Sequence, residues 1–226
     1  MHLRVESSGR LLRHTSANVE EDVIRLFYRL LYRVGLTPWE GLPGLPVADQ
    51  ISALLDREEA EREPPYGQAL DLGCGSGIWA VELAKRGWQV TGIDLIPKAV
   101  RRARERAREA GVEVRFVEAD VTALRAGDVG SGFRVVLDFG TLHGLASAEL
   151  GAAAREVSAV AADDATILMY AAVPGHRWPL PRGLSRAEIE AAYSGWQVID
   201  EEPFELSMAP GPLKKANPSW YRLRRG

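Results

Sequence analysis

From residue 68 onward, short apolar runs alternate with longer amphipathic stretches. Residues 68–72, 89–94, 114–118, 134–139 and 166–172 are short, apolar and bounded by glycines or acids, as strands are. Between them, residues 78–86, 97–110 and 146–162 repeat apolar positions at helical spacing. Pro97 opens the second of these helices and Gly111 stops it. Ser185, with Glu188 three residues on, has the form of a capping box and starts another helix. Residues 196–199 and 220–223 read as a sixth and a seventh strand. Such alternation implies an α/β, doubly wound, Rossmann-like sheet, parallel where helices make right-handed crossovers.

The first 64 residues follow a different pattern. Asn18 caps a helix whose Val23, Leu26, Phe27, Leu30, Leu31 and Val34 share one face, and Gly35 ends it. A turn-rich segment, residues 36–46, leads to a second helix over residues 47–61, which Pro64-Pro65 stops. The expected organisation is a helical extension or lid over residues 1–64 and an α/β domain over 65–226, in one compact unit overall.

Composition narrows the function. The chain has 226 residues, 46% hydrophobic, enough for one domain with a full core. A formal net charge of −3 gives no basic field for nucleic acid. Residues 1–13 are polar and lack a leader pattern, and no apolar run approaches a membrane span, so no membrane partner and a cytoplasmic location are expected. Cys74 is the only cysteine, so no intrachain disulfide forms. It reads as a small residue in a tight turn, since no activating base or cation lies near it in sequence. His2, His14 and His176 have no metal-ligand spacing with each other or with Cys74, so no metal is expected.

The chemistry concentrates in Asp71-Leu72-Gly73-Cys74-Gly75-Ser76-Gly77, a strand turning through glycines into a helix. Such a turn brings bare backbone amides up to a ligand. The second strand ends at Asp94, where an acid can take both hydroxyls of a ribose. Together these imply a nucleoside-containing cofactor. A dinucleotide fingerprint would read G-x-G-x-x-G, but here the glycines alternate and position 78 is Ile. The loop, Asp94, Asp120 and Phe139 all fall at the carboxyl ends of strands, where ligands of such folds bind.

D-x-G-x-G-x-G resembles motif I of the class I S-adenosylmethionine (SAM) dependent methyltransferases, and the likeness extends from Ala69 to about Leu145. TPWEG before the core and GPLKKANPSWYRLRR at the end resemble small-molecule methyltransferases of the tellurite-resistance and thiopurine-methyltransferase type. The resemblance implies a seven-stranded sheet whose last strand is antiparallel and inserted between the fifth and sixth. It also implies SAM as cofactor. Gly73, Gly75 and Gly77, with Leu72 and Cys74, would underlie the methionine and ribose. Asp71 would orient the loop and reach the methionine amine through water. Asp94 would bind the ribose and Leu95 the adenine face. Asp120 and the Val121 amide would meet the adenine amino group, although Asp120 could equally cap the next turn. Asp138, Phe139 and Gly140 would pass beside the reacting methyl, or Asp138 could be a turn acid.

Methyl transfer is an in-line displacement that asks a protein chiefly for alignment. If the acceptor arrives protonated, His143 is the candidate general base, alternatively a packing histidine. Tyr28, Tyr32, Trp39 and Trp178, with His143, are candidates to contact a small, aromatic or thiol acceptor methylated at S, O or N. The D/N-P-P-Y/F motif of amino-directed nucleic-acid methylation is absent; the matching place reads Asp138-Phe139-Gly140-Thr141. Two other readings stay open: a SAM-binding protein without turnover, and a nicotinamide oxidoreductase on a similar fold.

Overall fold

The computed structural model describes residues 30–31, 46–175, 181–204 and 217–226. The chain divides into two compact units, Met1–Leu36 and Thr37–Gly226. In the first, Leu30 and Leu31 are helical. The remaining description concerns the second.

Its elements run α1 (Pro46–Ala60), β1 (Gln68–Leu72), α2 (Ile78–Lys85), β2 (Gln89–Asp94), α3 (Pro97–Ala110), β3 (Val114–Glu118), α4 (Ala126–Val129), β4 (Phe133–Phe139), α5 (Ser147–Val160), β5 (Ala161–Ala171), α6 (Arg186–Ala192), β6 (Trp196–Pro203) and β7 (Ser219–Arg225). Single 3-10 turns, Val121–Ala123 and Leu142–Gly144, follow β3 and β4. The seven strands form one sheet in the order β3-β2-β1-β4-β5-β7-β6. β7 is antiparallel to both of its neighbours, and every other pairing is parallel. The order reverses between β1 and β4, which makes their carboxyl ends the topological switch point.

Inner strands are mostly apolar because helices cover both faces. Ile51, Leu54 and Leu55 of α1, Leu83 of α2 and Val100 of α3 share one buried cluster with Ala69, Leu137 and Trp220 of the sheet. Leu150 and Val157 of α5 and Ile189 of α6 share the other with Leu70, Val136 and Ile167. α3 ends as its sequence dictates: Gly111 adopts φ 67°, and the amides of Gly111 and Val112 return to Arg108 and Ala107. The capping box of Ser185 and Glu188 forms in full. Its bonds from Ser185, with Arg182 nearby, hold the Glu188 carboxyl down to about 2.

Three boundaries differ from expectation. α1 belongs to the sheet unit rather than to an extension ending at residue 64. Its apolar face is buried in the core, and Arg57 and Glu58 pair with Asp200 and Arg222 of β6 and β7. The helix expected over residues 146–162 ends at Val160, and β5 begins at once with Ala161, opposite Phe133. The Arg225 guanidinium donates to the carbonyls of Ser158 and Ala161 there, so tertiary bonds override the helix preference of two alanines. β6 continues past Ile199 to Pro203, because Asp200, Glu201 and Glu202 pair along β7. Of the described residues, no helix is long and apolar enough to cross a membrane.

Candidate functional site

The glycine loop leaves β1 with three left-handed turns, at Gly73 (φ 59°), Gly75 (φ 54°) and Gly77 (φ 77°). Space as well as conformation demands glycine. A Cβ on Gly73 would lie 1.9 Å from Thr141 Oγ1, and one on Gly77 would lie 2.9 Å from both Ala103 of α3 and Phe116 of β3. The loop is fastened on three sides. The Cys74 amide donates to the Ile93 carbonyl (2.8 Å), and the Gly75 amide to Asp94 Oδ2 (2.9 Å). Arg106 of α3 donates to the Ser76 carbonyl (2.8 Å) and hydroxyl (3.3 Å). Arg106 is not among the residues that the sequence singled out; only its spacing from the glycines across one βα unit could have pointed to it.

Three acids converge around this loop. Asp71 is 2% exposed, and its Oδ2 has no hydrogen-bond partner among the described residues. Burial drives its pKa well up, the nearby charges of Asp94 and Asp138 add to this, and the Ala80 amide opposes it. Asp94 accepts from Gly75 and, through Oδ1, from the Ile96 amide (2.8 Å); burial raises it and these bonds hold it back. Asp138 is fully buried and accepts from the amides of Thr141 (2.8 Å) and Leu142 (3.2 Å). Burial still pushes it up to about 7. Among the described residues, no basic side chain offsets the burial of any of the three. Buried negative charge with an orphaned oxygen is the setting a cationic ligand would satisfy.

The other expected residues lie nearby. Thr141 Oγ1 donates to the Leu72 carbonyl (3.0 Å) and so ties the segment after β4 to the glycine loop. Asp120 Oδ1 accepts from the Thr122 amide (2.9 Å) and hydroxyl (2.7 Å), capping the first 3-10 turn as one of its two readings foresaw. Leu95 directly follows Asp94 at the end of β2, and Val121 opens the 3-10 turn that Asp120 caps. Cys74 is buried, and burial raises its thiol well up, followed by Asp71 and Asp94, which suits a packing residue. His143 is 6% exposed; its Nδ1 accepts from the Ala172 amide (3.2 Å), which places the proton of the neutral ring on Nε2. Gly140, at φ 95°, lets the chain turn beside it. Tyr28, Tyr32, Trp39 and Trp178 lie outside the described residues. No group of His, Cys, Asp or Glu able to hold a metal occurs among the described residues.

Residues 69–164 match the family model described as a methyltransferase domain. That stretch is similar to such a domain, and the fold around it is similar to those of the solved methyltransferases described next. A ubiquinone biosynthesis O-methyltransferase of Xanthomonas axonopodis pv. citri is 40% identical over 77 residues, 34% of this chain and 32% of the relative. The match thus spans about a third of that protein's length. The N-methyltransferase NodS of Bradyrhizobium japonicum WM9, solved with S-adenosyl-L-homocysteine (SAH), superposes with a TM-score of 0.67 at 17% identity, over 83% of this chain and 91% of that one. The 1,6-didemethyltoxoflavin-N1-methyltransferase of Burkholderia thailandensis, solved with its acceptor and SAH, gives 0.63 at 20% identity, over 98% and 92%. At such identities these two likenesses concern the fold.

Proposed function

We propose that this chain transfers a methyl group from SAM to a small-molecule acceptor held beyond the carboxyl ends of β4 and β5. The observation that carries the reading is Asp71, a buried carboxyl with an oxygen unpartnered among the described residues, beside two further buried acids and a glycine loop. When bound, SAM supplies an electrophilic methyl group on a sulfonium. Gly73, Gly75 and Gly77 would lie beneath it, and Asp71 would face its ammonium. Asp94 has lone pairs beyond the two in use, so it could accept from the ribose hydroxyls without releasing the loop. Asp120 and Val121 would meet the adenine. Asp138 would act indirectly, by holding the Thr141–Leu142 turn beside the reacting methyl.

The O-methyltransferase relatives support oxygen as the receiving atom. A thiol sulfur is the second reading, supported by the likeness of the chain ends to the thiopurine and tellurite type. An acceptor that arrives as an anion needs no base, and a dry site favours its loss of charge along the path. The Ala172 bond supports His143 as a hydrogen-bond donor through Nε2; a base role would require that bond to break.

The test is transfer of labelled methyl from SAM to a panel of phenols, thiols and heteroaromatic amines. Equal yields of SAH and methylated acceptor are expected. Tight SAM binding with no SAH from any acceptor would leave a binding protein in place of an enzyme.

A further inference from the structure

The carboxyl ends of β4 and β5 and the amino end of the antiparallel β7 carry aromatic side chains in register. Phe139 pairs with Tyr170, and Tyr170 with Trp220, so the three form one row across the sheet. Alternation puts Asp138, Met169 and Tyr221 on the other face. The rings touch along the row: Phe139 and Tyr170 have centroids 5.2 Å apart, and Phe139 stacks on Trp220 at 5.5 Å and 15°. Trp79, in the first turn after the glycine loop, meets the edge of Phe139 at 5.7 Å. Phe204, just past β6, meets Tyr170 at 4.8 Å. His143 lies edge-on to Tyr170 at 5.4 Å, with Nε2 toward Gly140.

Trp220 and Phe204 are buried, whereas Trp79, Phe139 and Tyr170 remain partly exposed. The buried pair is a floor, and the other three present ring surface above it. Trp220 Nε1 is buried without a hydrogen-bond partner among the described residues. This surface begins one residue beyond Asp138, where the SAM methyl is placed by the reading above. Rings set edge-to-face and offset offer both π faces and hydrogen edges, which suit another flat ring better than an aliphatic chain.

We propose that Trp79, Phe139 and Tyr170 form the acceptor platform, and that its occupant is a planar aromatic molecule bearing the nucleophilic heteroatom on its ring. The platform selects by shape and stacking, and His143 Nε2–H borders it on the Gly140 side. This rests on the methyl-transfer reading.

The test is calorimetry of SAH-saturated protein titrated with catechol, with benzimidazole and with 2-mercaptoethanol, repeated on Trp79→Ala and Tyr170→Ala. Catechol or benzimidazole binding, weakened at least about tenfold in each variant with SAH affinity unchanged, is expected; whichever binds names the phenol or the nitrogen-heterocycle arm. Trp79→Leu and Tyr170→Leu give the same comparison should an alanine variant fail to fold. An SAH-loaded protein that binds neither aromatic probe, or that binds 2-mercaptoethanol as well as either, overturns the platform alone. Wild-type protein that does not bind SAH overturns the methyl-transfer reading and the platform with it.

Discussion

The two ends of the sheet treat buried charge in opposite ways. At the amino-terminal edge of β4 and β5, Glu58 is fully buried but receives Arg62 at 2.5 Å and Arg222 at 2.5 Å. Arg62 also reaches Thr166 Oγ1 and the carbonyls of Arg134 and Asp164, and Arg222 and Arg224 both meet Glu61. At the carboxyl end, Asp71, Asp94 and Asp138 are also buried, yet among the described residues only backbone amides offset the cost of charging them. The first arrangement pairs the Glu58 carboxylate with two guanidinium groups of the chain and fastens α1 to the sheet. The second is incomplete, and incompleteness of this kind marks a place kept for something else. The same fold thus separates a stability end from a ligand end.

Four experiments sharpen or break this contrast. Glu58→Ala should have the largest effect. Leaving Arg62 and Arg222 buried without their carboxylate should cost about 3–5 kcal/mol in denaturant unfolding. Next is Asp94→Ala, which removes the ribose acceptor and one fastening of the loop. SAM affinity should fall on the order of 100-fold in calorimetry, from hydrogen bonds to a charged group worth about 1.5–3 kcal/mol each, while circular dichroism stays native. Gly77→Ala forces a Cβ against Ala103 and Phe116 at φ 77°. The strain should cost about 1–3 kcal/mol of stability and weaken SAM in parallel.

The fourth experiment reads a pH slope. Asp138 sits at about 7 in the native protein against an ordinary 3.8, so the native state holds this proton more tightly than the unfolded chain. Its contribution to stability is therefore full below about pH 4 and is lost as pH rises through about 7. Asp138→Asn keeps an oxygen for the Thr141 amide and should flatten that part of the melting-temperature profile. An unchanged profile would remove Asp138 from the strained set.

Much of this was legible in the sequence, for physical reasons. β1 and β2 are buried on both faces, so their apolar runs and the acids that end them stand out at 68–72 and 89–94. The glycines are legible because no other residue fits their conformation or their space. The edge strand β6 was read short, because Asp200, Glu201 and Glu202 look like a loop until β7 is seen beside them. The aromatic row was illegible for a related reason. Phe139, Tyr170 and Trp220 are far apart in the chain, and only strand register makes them neighbours. Arg106 escaped notice because its target is a backbone carbonyl, which leaves no mark in the sequence.

The most direct test of the ligand end is one calorimetric comparison of SAM, SAH and NADH on the purified protein. SAM and SAH should bind, and NADH should give no heat of binding. NADH binding without SAM would make the glycine loop a dinucleotide site and contradict the account.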